Sequence, residues 1–338
     1  MMRTIISAIL LVLSYPVWSY SVGTRQDIIV DPHTQRSLSV RLFYPTRTPQ
    51  PVQQQAVSAV FSGFPAIADA PLAAGRFPLI ILSHGSGGNN TSLAWLAVPL
   101  AARGIVVMAA SHPGSTTGDS QPATDLTLQT VDLSFLLTHY LASPVWQQAI
   151  DRQKIGAVGH SRGGYSVLAL AGGRINRQRL NHYCQTMPQM PDCQFYSRGG
   201  VRLEKTDNTR LAASYRDSRF RLVVALDPAM SYVLTPDSLQ AIKVPVLTIA
   251  AGYYIRATGS MTLGVDRLPL PQVKLQNAGH FDFLPVCQPA ATAILAEEGE
   301  AFICETPRAE REAVHRQTLA AIDQFMQQHG FLNVPHQP

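Results

Sequence analysis

The sequence predicts an α/β domain: a mostly parallel central sheet with helices on both faces. Three observations lead there. Apolar runs of strand length alternate with stretches of helical spacing through most of the chain, as in a parallel sheet joined by crossover helices. The strand-length runs are continuously apolar rather than alternating, as strands buried on both faces are. With 46% hydrophobic and 14% charged residues in 338, the chain has the apolar content for a large core and too little charge for extended disorder.

The elements follow in order. Arg3 precedes the apolar stretch TIISAILLVLSYPVW, and small residues follow at Ser19 and Ser21. A charged start, an apolar run of this length and small residues after it make residues 1–21 a secretory signal peptide, cut at Ser19 or Ser21. The run is short for a bilayer span and Pro16 interrupts it. Residues 22–338 then form a single domain. DIIVDPHTQRSLSVRLFYP reads as two short strands around a turn. The Pro-, Gln- and Ala-rich connection over 46–75 has weak periodicity and reads as a surface loop. FPLIILS is a buried strand ending in the glycines of HGSGG. SLAWLAVPLAARG has helical spacing and stops at Gly104, and IVVMAAS is the next strand. DLTLQTVDLSFLLTHYLAS is a helix, with Leu126, Val131, Leu133, Leu136, Leu137 and Leu141 supplying its apolar side. KIGAVGHS is a strand and RGGYSVLALAGG the helix after it. Strands resume in RFRLVVALDPA, VPVLTIAAG and QVKLQNAGH. A last long helix carries Val314, Thr318, Ala321, Ile322, Phe325 and Met326 on one face, with Gly330 suited to its C-terminal cap. Over 174–219 the pattern fails. That polar stretch reads as an insertion over the sheet's C-terminal edge, a lid or pocket wall.

The net charge of +5 is scattered, with no Lys/Arg run of five. This gives a mildly cationic surface suited to peripheral contact with anionic membranes or polymers, and no basic patch for nucleic acid. The four cysteines, Cys184, Cys193, Cys287 and Cys304, allow three connectivities. Pairing Cys184 with Cys193 and Cys287 with Cys304 closes the shortest loops, and an exported chain meets an oxidising environment. No CxxC or HxxxH-type spacing suggests zinc, so no metal is expected.

Gly159-His160-Ser161-Arg162-Gly163 carries the chemistry. A serine hydroxyl is a weak nucleophile at neutral pH and needs a base, which in turn needs an orienting acid. A serine between glycines, after a strand and opening a helix, fits a sharp turn that lifts the hydroxyl above the sheet. The SHGSGG loop, Ser83 to Gly88, can turn a backbone amide toward it, so the N–H groups of Ser86 and Arg162 are the expected oxyanion hole. His280, in NAGHFDF after the last strand, is the expected base. The acid is chosen as Asp227, at the end of RLVVALDPAM, because no Asp or Glu follows the next strand until Asp266; Asp266 is the alternative. Asp282, two residues from His280, is read as a turn cap. His84, His112 and His160 belong to loops with other tasks, His112 as a pocket-lining residue.

PLIILSHGSGG, GHSRGGYS, VVALDPA and AGHFDFL, in this order, resemble the α/β-hydrolases related to platelet-activating-factor acetylhydrolase. The opening VGTRQDIIVDPHTQRSLSVRLFYP is similar to bacterial proteins of that group described as predicted dienelactone hydrolases. The resemblance spans about 22–284, and is weaker in the insertion and over 285–307. It implies the α/β-hydrolase fold, an acid after the strand that follows the nucleophile, as Asp227 is, and ester hydrolysis through an acyl-enzyme without metal or organic cofactor. True dienelactone hydrolases carry a cysteine where Ser161 stands. The expected protein is thus a secreted or periplasmic serine carboxylic-ester hydrolase acting on short-acyl esters or (lyso)phospholipid acyl groups. The competing readings are another acyl-transfer hydrolase (peptidase, thioesterase or polyester depolymerase) and a non-catalytic binding protein on the same fold.

Overall fold

The structure, a computed structural model, describes residues 20–120, 125–198, 200–259 and 261–332. Residues 1–19 of the expected signal peptide lie outside the described residues. In chain order the strands are β1 (Ser21–Val30), β2 (Ser37–Thr46), β3 (Gln53–Gln55), β4 (Phe64–Ala68), β5 (Phe77–Ser83), β6 (Val106–Ser111), β7 (Ser115–Thr116), β8 (Asp119–Ser120), β9 (Ile150–His160), β10 (Leu222–Leu226), β11 (Val246–Tyr253) and β12 (Gln272–Gly279). β7 and β8 form a separate ribbon, and the rest make one sheet in the order β12-β11-β10-β9-β5-β6-β2-β1-β4-β3. Neighbours from β12 to β6 are parallel; β2 then pairs antiparallel with β6, and β1 antiparallel with β2.

The core follows from strand geometry. Successive side chains of a strand point to opposite faces. In β5, Leu79 and Ile81 join the apolar cluster on one face, and Ile80 and Leu82 the cluster on the other. Helices α2 (Leu128–Ala142) and α4 (Arg162–Ala171) cover the first face through Leu133, Leu136, Val167 and Leu168. Helices α1 (Ala94–Ala102) and α10 (Arg308–Gln328) cover the second through Leu96, Leu100, Ile322 and Phe325. Both faces being roofed, the strand needs no polar side, which is why it reads as one apolar run. Gly104 takes φ +85 after α1, and Gly330 takes φ +70 after α10.

β5 lies between β6 and β9. The chain leaves β5 to one side and later returns to the other, so the loops after β5 and β9 diverge and leave a crevice at their C-terminal ends. Ser83 and His160 end those two strands.

The connection over 46–75 is not simply a loop. It contains β4, parallel to β1, and β3, antiparallel to β4, with Phe64, Ala66 and Ile67 buried while Pro65 faces out. α2 begins at Leu128 rather than Asp125, because the Asp125 carboxylate accepts the Thr127 N–H at 2.9 Å and ties the chain into a turn first. A short helix, α3 (Pro144–Ala149), follows it with proline at its first position. The folded unit takes in Tyr20 and Ser21, the two residues before 22: Tyr20 N–H donates to the Ala102 carbonyl at 3.3 Å, and its ring meets Phe77 edge-on.

The stretch over 174–219 folds as α5 (Arg177–Thr186), α6 (Pro191–Arg198), a 3-10 turn (Leu203–Lys205) and α7 (Asn208–Leu211). Disulfides join Cys184 to Cys193 within it and Cys287 to Cys304 beyond His280. The remaining helices are α8 (Pro236–Gln240) and α9 (Ala291–Ala296). No helix among the described residues is long and apolar enough to cross a membrane.

The Cys287–Cys304 bond closes a separation of 17 residues. Replacing both cysteines by serine is expected to cost about 3 kcal/mol of stability, from freedom restored to the unfolded chain. Guanidinium unfolding midpoints of the two proteins measure it, and an unchanged midpoint contradicts it.

Candidate active site

Ser161 sits between the end of β9 and the start of α4 with φ 56 and ψ −120, a conformation L-residues avoid. Three hydrogen bonds hold it there. Its N–H donates to the Leu226 carbonyl at 3.0 Å, and its carbonyl accepts from Tyr165 N–H at 3.1 Å and Ala229 N–H at 2.9 Å. The flanking glycines answer to space. A Cβ on Gly159 would run into the Gly163 carbonyl, and one on Gly163 into the Ser83 carbonyl. The turn therefore closes only without side chains at both positions, and α4 starts hard against the end of β5.

His280 follows β12, and Asp227 follows β10 with φ 38. His280 Nδ1 lies 2.6 Å from Asp227 Oδ2, and its Nε2 lies 3.0 Å from Ser161 Oγ. A carboxylate only accepts, so Nδ1 carries the proton and donates it to Asp227. Nε2 is then the acceptor facing the Ser161 hydroxyl. Asp227 Oδ1 also accepts Ala251 N–H at 3.0 Å, which fixes the carboxylate's rotation. His160 Nε2 donates to the His280 carbonyl at 2.9 Å, and the Tyr254 ring stacks on His280 with centroids 4.8 Å apart. His280 and Asp227 are each 2% exposed, whereas Ser161 is half-buried and open to the crevice.

The alternatives fall elsewhere. Asp266 is exposed in a 3-10 turn (Val265–Arg267). Asp282 caps the turn at His280, its carboxylate accepting Gly279 N–H at 2.7 Å, with Arg311 Nε 3.5 Å from its other oxygen. Arg162 opens α4, where first-turn amides have no acceptor within the helix. Gly85 lies over the nucleophile, the position of a Cβ there being 3.4 Å from Ser161 Oγ, and Ser86 follows it at the exposed rim.

His112 does not line the pocket. It is fully buried beneath the SHGSGG loop in a second serine–histidine–aspartate set. Its Nδ1 donates to Asp132 Oδ2 at 2.9 Å, so its Nε2 accepts the Ser83 hydroxyl at 3.2 Å. Arg36 clamps the same carboxylate with Nε and Nη2, each at 2.7 Å. Gln129 Nε2 donates to Ser83 Oγ at 3.0 Å and to the His84 carbonyl. Ser83 and His112 are 0% exposed, so no substrate reaches this hydroxyl, and the set serves the loop above it. Burial drives the His84 imidazole down to about 3, lowers His112, and pushes His160 well below the usual histidine value, so all three are neutral at pH 7. No sequence signal points to Asp132, Gln129 or Arg36, because each acts through partners far along the chain.

The insertion packs on the segment that follows Asp227. Tyr183 stacks on Tyr232, Arg179 donates to the carbonyls of Tyr232 and Val233, and Asp192 Oδ2 accepts Met230 N–H at 3.0 Å. Burial, with nearby Asp227 adding, raises the Asp192 carboxyl to about 6. Among the described residues no cluster of side chains could hold a metal ion.

Comparisons with known proteins place the architecture. The family model for chlorophyllase matches residues 47–184, which is less than half of the chain. Among curated proteins, none matches. A ferulic acid esterase from Streptomyces cinnamoneus shares 21% identity at a TM-score of 0.60, over 96% of this chain and 95% of that one. A thermophilic esterase from Thermogutta terrifontis, solved with butyrate bound, shares 14% at a TM-score of 0.49, over 92% and 96%. The first likeness shows that the chain has the α/β-hydrolase fold, in its mostly parallel mixed sheet.

Asp192 gives a pH test. Its folded value, about 6, lies above the ordinary 3.8, so the native state holds this proton more tightly than the unfolded chain. The stabilisation is complete below 3.8 and is lost as pH rises through about 6. Asp192→Asn keeps an acceptor for Met230 N–H without the charge. It is expected to be more stable than wild type at pH 8, by up to about 3 kcal/mol, and nearly equal at pH 4. A variant less stable at pH 8 contradicts the assignment.

Proposed function

We propose that the protein is a serine hydrolase of carboxylic esters, working through an acyl-enzyme on short-acyl esters or (lyso)phospholipid acyl groups. One observation carries the reading: a continuous hydrogen-bond chain from Ser161 Oγ through both nitrogens of His280 to Asp227, opening on the crevice. Ser161 attacks the ester carbonyl while His280 Nε2 takes its proton, and Asp227 stabilises the imidazolium that forms. The amides of Ser86 and Arg162 receive the charge on the carbonyl oxygen. The tetrahedral intermediate expels the alcohol, which leaves with the proton from His280. Water, deprotonated by His280, then releases the acid from Ser161. These steps use the chain's own groups and call for no cofactor.

The strained Ser161 backbone supports a functional use of that hydroxyl. A structural neighbour named as a ferulic acid esterase accords with ester chemistry. The insertion, resting on the segment after Asp227, is suited to limit acyl or alcohol size. Two disulfides accord with a secreted or periplasmic location.

Purified protein is expected to hydrolyse p-nitrophenyl acetate and butyrate and to react with a fluorophosphonate probe at Ser161. Ser161→Ala is expected to lower kcat by about 10⁴-fold or more and to abolish labelling. Activity that survives this change would sink the reading. Asp227→Asn is expected to lower kcat by about 10⁴-fold through the wrong imidazole tautomer, with Asp266→Asn leaving it within about threefold. The reverse ranking would make Asp266 the acid.

A further inference from the structure

The oxyanion loop has a feature that catalysis by the triad alone does not explain. Gly85 accepts two hydrogen bonds on its carbonyl, one from His84 Nδ1 at 2.6 Å and one from Gly88 N–H at 3.1 Å. The role of the His84 ring is fixed by its other nitrogen. Nε2 accepts the backbone N–H of His112 at 3.2 Å, so Nε2 is unprotonated and the ring proton is on Nδ1. The ring is 2% exposed and neutral, packed 4.9 Å from the His112 ring.

A trans peptide is planar, with its C=O and N–H pointing in opposite directions. No cis peptide occurs among the described residues. The carbonyl of Gly85 and the N–H of Ser86 belong to one such plane. When His84 holds the carbonyl down toward the buried network, the Ser86 N–H is turned the other way, out of that network. Gly85 itself lies against the nucleophile, the position of a Cβ there being 2.9 Å from Ser161 Cβ. Glycine at 85 leaves the plane free to turn either way, so something else must choose.

We propose that His84 is a positioning residue: its Nδ1–H, oriented by the His112 backbone amide, holds the Gly85–Ser86 peptide with the Ser86 N–H facing the forming oxyanion. The proposal rests on the ester-hydrolase reading for its chemistry, and on the loop alone for its geometry. The buried set below keeps His84 in place. Gln129 grips its carbonyl, while Asp132 and Arg36 fix the ring of His112, whose backbone amide orients it. Gly88 lets the loop close over the ring, since a Cβ there would come within 3.1 Å of His84 Nδ1.

Two variants separate positioning from packing. In His84→Asn the amide nitrogen stands where Nδ1 stood and can still donate to Gly85. In His84→Gln the amide reaches the Nε2 position and leaves the Gly85 carbonyl without that donor. His84→Gln is expected to lose about 10²-fold in kcat, the effect of one misplaced oxyanion donor, with KM within about threefold of wild type. His84→Asn is expected to recover most of that loss. Equal losses in the two variants, or a wild-type kcat in His84→Gln, overturn the proposal. A direct reading needs no active variant: long-range proton–nitrogen NMR of wild-type His84 is expected to show Nδ1 protonated, and an Nε2-protonated ring overturns the proposal even if His84→Gln does not fold. Fluorophosphonate labelling of the wild type keeps the two claims apart. An unlabelled, inactive wild type rejects the hydrolase reading, while the tautomer still reports on the loop.

Discussion

The site depends on two backbones meeting without a side chain between them: the first turn of α4 and the last carbonyl of β5. Gly163 has no room for a Cβ beside the Ser83 carbonyl. With any side chain there, α4 would move off the sheet and carry Ser161 away from the SHGSGG loop. This contact sets the depth of the crevice at the strand crossover. It sets the start of α4, where Arg162 stands, against the end of β5 and the loop that carries Ser86. The triad is less demanding, because His280 and Asp227 arrive on loops whose hydrogen bonds to Tyr254, Ala251 and His160 adjust them.

Electrostatics around that contact are kept simple by burial. His84, His112 and His160 surround the nucleophile turn and lie too deep to take up a second ring proton at neutral pH. They act instead as rigid donors and acceptors with defined tautomers. Asp132 is matched by Arg36 with two parallel bonds and lies on the far side of His112 from Ser83. The buried Arg162 guanidinium, next in the chain after Ser161, is a positive charge beside these rings and adds to the lowering of His84 and His112.

What could be read from the sequence was what depends on periodicity and order. β5, β6, β9, β10 and β11 are apolar runs because both faces are covered. Ser161, Asp227 and His280 stand after β9, β10 and β12, and the fold brings the three side chains into one hydrogen-bonded row. β3 and β4 leave no mark in the sequence, because QQQ and a proline-containing five-residue strand carry no period. The insertion's helices were illegible because α5 buries only Leu180 and Tyr183. A helix with so small an apolar face shows no stripe. The task of His84 was hidden for another reason. Its partners are backbone groups, Gly85 C=O and His112 N–H, and backbone groups have no signature in a sequence.

The φ of 56 at Ser161 has a consequence for how such a chain persists. A non-glycine residue held there carries about 1–3 kcal/mol of strain, which glycine would relieve. Ser161→Gly is thus a mutation that drift would accept and thermal selection would favour, in any copy whose hydroxyl had fallen out of use. The serine at this corner is a cost borne every generation, and a lineage that stopped turning over substrate would tend to shed it before the fold showed any other sign of decay.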